Sequence, residues 1–540
     1  MSFPMARRAH GALFANANPA VQAAIVPKVG GASGSRDRVA GDGSVDLVHR
    51  VEVSHALQGV RRCPTPPCAT GPRNPLCGPP CERGLAPSPL PWTRVGLIGA
   101  IDMPQPTSTG VAIAAAAPSH VGQRLRLARA MAVLLALGGC HSTAPRMQQD
   151  EIPARVAALL RTTPLVDGHN DLHIHYHACK AGCPRGFDAY DISGRVEGHT
   201  DLPRWREGQV GAQLLNSGWI DAEPGLDGTL KGFAFTREMA QRYARSIVVA
   251  RTAAEVRAAH AGGRLAILLA LEDMDRLGTD AATVQRLASE GLRSDILAYS
   301  GPSLLADGHA GPARFGGLSP LGRQMVGWMK DNGILVDLSH ASADTARDVL
   351  AQAAAPVIFS HSSAAALCDV PRNVPDDVLQ RLRANGGIVM VSFVPEFTRK
   401  EFADWYDAGD AYWTALLKAN GGDRAQAGPA MDQWEKDHPR PLVTVPDVAD
   451  HVEHIRDVAG IDHVGFGSDF DGIDFTVTGL EDVSTFPRLL EELARRGWSN
   501  EDLRKVAGEN FLRVLDAADA VAQSRRQGAL ERAPSAATRR

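Results

Sequence analysis

Six side chains able to bind a metal or move a proton stand at the ends of short apolar runs, scattered across a chain of 540 residues. The first run leads into Asp167-Gly168-His169-Asn170-Asp171. His169 and Asp171 are two residues apart, so on extended backbone their side chains share a face. The run Leu265–Leu271 ends in Glu272, two others end in Ser339-His340 and Ser360-His361, and a last one ends in Gly467-Ser468-Asp469-Phe470-Asp471. Singly, each has a plainer reading. An Asp after a strand is a common helix N-cap, a His there is a hydrogen-bonded loop residue, and Glu272 could be a surface group. Crowded together, these imidazoles and carboxylates would suffer desolvation and like-charge repulsion unless a cation joined them. Nitrogen and oxygen ligands without thiolate pairs suit Zn2+, with Mn2+ or Co2+ as alternatives. A carboxylate able to bridge allows two metals roughly 3.5–4 Å apart, which makes hydroxide near neutral pH and polarises a carbonyl.

Something must bring these residues to one place. From about residue 151, β-rich runs alternate with amphipathic stretches. The runs are Pro164–Val166, Gly211–Leu215, Leu265–Leu271, Ile296–Ala298, Ile334–Leu338, Pro356–Phe359, Gly387–Phe393 and His463–Phe466; helices are expected at Ala253–His260, Thr283–Glu290, Gly322–Asn332, Ala343–Ala353 and Pro375–Asn385. Continuously apolar strands imply a parallel sheet covered on both faces. Eight such units predict a distorted (β/α)8 TIM-like barrel in the class of α/β folds, with its chemistry at the C-terminal ends of the strands; a doubly wound open sheet is the alternative. Residues 396–445, with Trp405, Tyr406, Tyr412 and Trp413, break the rhythm and read as an insertion after the seventh strand, a candidate lid. The barrel domain is expected over 141–520, followed by a disordered basic tail over 521–540.

The start of the chain differs in character. Residues 1–102 are rich in Ala, Gly, Pro and Arg without helical or strand period, and read as a disordered or non-native extension; Cys63, Cys68, Cys77 and Cys81 there could pair on zinc, but their spacing matches no zinc knuckle. Over 103–140, Arg124, Arg126 and Arg129 precede the apolar Met131–Leu137 and then Gly138-Gly139-Cys140. This order resembles a bacterial lipoprotein signal, too short to span a bilayer, in which Cys140 becomes the lipidated first residue of an exported, membrane-anchored protein. Met103 and Met131 are alternative starts. The net charge of −4 and pI near 6.5 argue against nucleic-acid binding through global positive charge. Eight cysteines are too few for a disulfide scaffold. Cys179 and Cys183 frame a short insertion in which an exported protein could form a disulfide, although so short a loop often strains one, and Cys368 reads as a buried small residue.

The motifs resemble the membrane dipeptidase family (renal dipeptidase, peptidase family M19), a branch of the metal-dependent amidohydrolases. The resemblance runs from about Pro164 to Leu515 and rests on DGHND, HTDLPRWREGQVGAQ, GGLSPLGRQMVGWMKDNGILVDLSH, FSHSS, RNVPDD and HVGFGSDFDGIDFTVTGLEDVSTFPRLLEEL. It implies a (β/α)8 barrel, usually a homodimer, with two Zn2+ per subunit. Carried over, His169, Asp171 and Glu272 hold one zinc, and Glu272, His340 and His361 the other. Arg372 grips the C-terminal carboxylate of a dipeptide, and Asp469 is the acid-base group, leaving Asp471 a structural role. Hydrolysis proceeds by attack of a hydroxide shared by the metals, on L,L-dipeptides and, as an extension, L,D-dipeptides.

Two departures stand out. Aligning Ala306-Asp307 puts Tyr299 where the family has a histidine that contacts the scissile carbonyl oxygen; a phenol can also donate to an oxyanion, and His309 is the other residue that could fold back. Asp273-Met274 follow Glu272 where the family commonly has Gly-Gly. Alternatives are a two-metal hydrolase of another amide, lactone or β-lactam, and a non-catalytic lipoprotein that binds ligands on the same barrel.

Overall fold

A computed structural model describes residues 151–177, 186–218, 225–272, 278 and 280–532. The expectations placed on the N-terminal extension, the signal and Cys140, on Cys179 and Cys183, and on Asp273-Met274 lie outside these residues.

The strands are β1 (Leu165–Asn170), β2 (Val210–Asn216), β3 (Ile247–Val249), β4 (Leu265–Leu271), β5 (Leu292–Ile296), β6 (Leu335–Asp337), β7 (Ile358–Phe359), β8 (Ile388–Val391) and β9 (Val464–Phe466). All pair in parallel, and the β1–β9 and β2–β4 ladders close the sheet into a barrel. β3 stands aside. It pairs with the first half of β4 along the edge whose second half pairs with β5, so eight strands form the barrel and the ninth extends one edge.

β4 shows why these segments become buried strands. Ile267, Leu269 and Leu271 enter one apolar cluster and Ala266, Leu268 and Ala270 another. The two-residue period therefore buries both faces, at about 1.5–3 kcal/mol for each large side chain. The helices between strands are set by local chemistry. Thr252, Asp280, Ser319 and Ser342 cap helix N-termini with side-chain oxygens, and Gly291, Gly333 and Gly386 close three helices in the left-handed region.

Three segments differ from expectation. β3, three residues long, is not among the expected strands; only Ile247 of it is buried, so its run lacks the continuous apolar neighbours of the barrel strands. The strand expected at Ile296–Ala298 lies at Leu292–Ile296, because the run is interrupted by Arg293 and Asp295, both buried. Arg293 is compensated from outside the strand: its Nη2 lies 2.6 Å from Asp519 Oδ1 on the C-terminal helix. That helix, Asn510–Arg532, continues into the stretch expected to be a disordered tail, and its buried Phe511, Leu512, Val514, Leu515 and Ala518 pack against the barrel strands.

The insertion after β8, the seventh barrel strand, is helical: Pro395–Thr398, then an antiparallel pair, Lys400–Ala419 and Arg424–Asp437. Trp405 joins this pair to Trp434 (ring centroids 5.7 Å) and to Phe475 (5.5 Å). Phe475 belongs to the loop after β9 that also carries Asp469, so the insertion braces that loop. Among the described residues no helix is long and apolar enough to cross a membrane.

Candidate active site

Two buried aspartates tie neighbouring strand ends together. Asp167 accepts bonds from Ser468 N and Oγ, both at 2.7 Å, and from Gln213 Nε2 at 2.9 Å. Burial still lifts its carboxyl to about 6. Asp337 Oδ1 accepts from Ser339 N (2.9 Å) and Ser360 N (3.0 Å), one residue before His340 and His361 respectively. The backbone around the cluster is constrained as well. His340, Asp469 and Asp471 all adopt positive φ, at 65°, 65° and 69°, a conformation that costs non-glycine residues energy and recurs where geometry is functional.

The structure brings all six side chains together. His169 Nε2 lies 3.4 Å from Asp171 Oδ2, 3.3 Å from Glu272 Oε1 and 3.9 Å from Asp469 Oδ1. The same Glu272 oxygen is 3.6 Å from both His340 Nε2 and His361 Nε2, and those two nitrogens are 3.1 Å apart. One carboxylate oxygen is thus common to three imidazoles. The other Glu272 oxygen accepts from Asn216 Nδ2 at 3.1 Å, and the same amide donates to Asp171 Oδ1 at 3.0 Å, leaving one oxygen of each carboxylate turned to the histidines. His361 is oriented by Ser360 Oγ, 2.8 Å from its Nδ1, the outer-shell bond that fixes a ligating tautomer. Gly472 closes the cup: a Cβ there would stand 2.3 Å from Asp171 Oδ2 and 2.8 Å from Asp469 Oδ1.

The electrostatics suit a cation. Burial, with Arg372 adding to it, holds His340 well below the ordinary histidine pKa; burial and then His169 do the same to His361. Both are therefore neutral, the form that ligates. Burial also opposes charge on His169, but Glu272 and Asp171 outweigh it and hold its pKa well above 6.5. Glu272 is pushed well up, first by burial. His169 Nε2 is buried with no hydrogen-bond partner among the described residues. An orphaned imidazole nitrogen beside a bridging carboxylate whose ionisation burial opposes is a donor set that fits divalent metal.

Around this cup stand the residues for substrate. Tyr299 stacks on His340 (4.5 Å, 22°). Burial, then the charge of Glu272, raises its phenol well above 10, so it keeps its proton and can donate. His309 also reaches the His340 ring (5.3 Å), but its Nδ1 is turned to the His340 carbonyl at 3.2 Å. Burial and Arg372 lower it to about 4; neutral, with Nδ1–H donated to that carbonyl, it has only an acceptor left at Nε2. Arg372 is 4% exposed. Its Nη1 donates to Ser362 Oγ (2.6 Å) and its Nη2 to the His361 carbonyl (2.9 Å), while its Nε has no hydrogen-bond partner among the described residues. Asp471, expected to be structural, accepts from His175 Nε2 at 3.0 Å and from the backbone of His199 at 2.6 Å, which anchors the Asp469 loop. Cys368 is buried and free.

The membrane dipeptidase model (peptidase family M19) matches residues 153–528. The chain belongs to this family. This family member is 33% identical over 392 residues to the dipeptidase verJ of Clonostachys rogersoniana, covering 70% of this chain and 90% of that one. Among solved structures it is similar to dipeptidase AC, a metallo peptidase of family M19 (27% identity, TM-score 0.53, 66% of this chain and 99% of that one). It is similar as well to a metallo peptidase from Rhodobacter sphaeroides liganded with a phosphinate mimic of the dipeptide L-Ala-D-Ala (26%, TM-score 0.52, 66% and 99%). The protein is accordingly an enzyme of a metal-dependent, peptide-hydrolysing family, which removes the non-catalytic alternative.

Sequence reasoning missed Asn216, Ser360, Asp167 and Asp337. Asn216, Asp337 and Ser360 stand at the C-terminal end of their strands or one residue beyond, so the positional signal that exposed the candidate ligands was present for them too; Asp167 lies in the middle of β1, where no such signal exists.

Proposed function

We propose that the protein is a zinc dipeptidase that cleaves the peptide bond of dipeptides bearing a free C-terminal carboxylate. The observation that carries this reading is Arg372: a buried guanidinium beside the cluster, with Asp469 and Glu272 the charges that most favour its protonation, yet with neutral oxygens as its bonded partners. A buried cation held this way is poised for an anionic group, and a guanidinium fork suits carboxylate.

His169, Asp171 and Glu272 would hold one zinc, and Glu272, His340 and His361 a second. Bound metal supplies acidified water and a polarised carbonyl. The chain's own groups do the rest. Arg372 fixes the substrate by its carboxylate. Asp469 takes the proton of the attacking water and returns it to the leaving amine. Tyr299 donates its hydroxyl to the carbonyl oxygen as negative charge develops there, the task for which the His309 tautomer lacks a proton.

Two substitutions test these roles. Arg372→Met is expected to lower kcat/KM on dipeptides about 100-fold, mainly through KM, while hydrolysis of dipeptide amides stays unchanged; a variant as active as wild type on its substrate would favour the alternative, a two-metal hydrolase of another amide, lactone or β-lactam. Tyr299→Phe is expected to lower kcat about 100-fold with little change in KM. An unaltered kcat would remove Tyr299 from the reaction.

A further inference from the structure

We propose that Glu396, with Asp474 beside it, forms a cation-accepting subsite for the side chain of the substrate's second residue, selecting dipeptides that end in a basic amino acid. This rests on the dipeptidase reading above and adds a preference to it.

Glu396 lies on the short helix Pro395–Thr398, which leaves β8 at the mouth of the barrel. That helix is pinned by three successive carbonyls. Cys368 Sγ contacts the Glu396 carbonyl at 3.4 Å, Asn373 Nδ2 donates to that of Phe397 at 2.8 Å, and His451 Nε2 stands 2.9 Å from that of Thr398. The Glu396 side chain therefore springs from a fixed base. Its Oε2 is sealed from solvent and meets no hydrogen-bond partner among the described residues. The charged groups that act on it most are Asp474 and Asp469 from the loop after β9 and Asp407 from the helical insertion, all carboxylates. Burial and these neighbours push Glu396 up to about 8. A buried carboxyl whose strongest charged neighbours are also carboxylates is costly to ionise, and a ligand cation removes that cost by replacing the proton.

The position of the site relative to substrate follows from two contacts. The ring of Phe397, the next residue, lies under the Arg372 guanidinium at 5.2 Å, where the substrate carboxylate is held. Asp469, which serves the leaving amine, is within electrostatic reach of Glu396. Carboxylate and leaving amine belong to the same substrate residue, the second, and Glu396 adjoins both sides of it, next in sequence to the ring under Arg372 and within the electrostatic influence of Asp469. Its carboxyl meets what that residue projects. Lysine and arginine side chains carry the charge it lacks.

The test compares kcat/KM of the zinc-loaded enzyme on Ala-Lys and Ala-norleucine, which differ in the terminal ammonium, and on Lys-Ala. Wild type is expected to favour Ala-Lys over Ala-norleucine about tenfold, and Glu396→Gln to abolish that ratio. Asp474→Asn should reduce it in part. Thermal unfolding of Glu396→Gln should occur at or above the wild-type midpoint, since an unpaired buried acid is removed. A wild-type ratio near one, a ratio retained in Glu396→Gln, or a preference for Lys-Ala instead would overturn the proposal. Failure to cleave any dipeptide would instead overturn the reading on which it rests.

Discussion

Glu272→Gln is expected to leave the protein folded, strip it of metal and lower dipeptide hydrolysis by more than about 1000-fold. The argument is geometric. Glu272 Oε1 is the single atom shared by His169, His340 and His361, at 3.3, 3.6 and 3.6 Å. The amide has the same shape, so the barrel is not disturbed. It removes the one charge common to both ligand groups, and it can turn an NH2 toward imidazole nitrogens that must act as acceptors. Loss of an outer-shell partner already costs roughly 10–100-fold in metal affinity or activity, and a bridging ligand must cost more. Elemental analysis after dialysis checks the first part and steady-state turnover the second. A variant that keeps two metals per chain would show that Glu272 does not bridge.

How much of this was legible in the sequence depends on what each residue does. His340 and His361 follow apolar runs, and a strand-end imidazole is conspicuous because the preceding residues are Val, Ile, Leu and Phe. Arg293 and Asp295 hid β5 for the opposite reason: charge inside a strand erases the apolar signal, and the compensating Asp519 is more than two hundred residues away. Nothing local announces that pairing. Asn216 illustrates a third case. A polar residue at the end of β2 is visible, but that its amide serves Asp171 and Glu272 together is a fact of three strands meeting. Glu396 is a fourth. Its type and place on a short helix are ordinary, and only the absence, among the described residues, of a hydrogen-bond partner for its buried oxygen gives it meaning.

Asp469 presents the choice with the clearest experimental answer. It stands 3.9 Å from His169 Nε2, and with His169 and Asp171 it offers oxygen and nitrogen atoms within 4.8 Å of one another. Geometry alone therefore permits two roles, metal ligand or proton carrier. The backbone separates the variants that can decide between them. At φ 65° most side chains are strained, whereas asparagine tolerates the left-handed region nearly as well as aspartate. Asp469→Asn thus removes the charge and the exchangeable proton site without disturbing the loop held by Asp471, His175 and His199. As a proton carrier, its loss should lower kcat by about 100- to 10,000-fold, leave KM within a small factor and leave metal content at the wild-type value. A ligand role would show itself differently, in metal lost together with activity. The carrier role is the expected one, because Glu272 already joins the three histidines and an Asp469 committed to a metal could not pass a proton to the leaving amine.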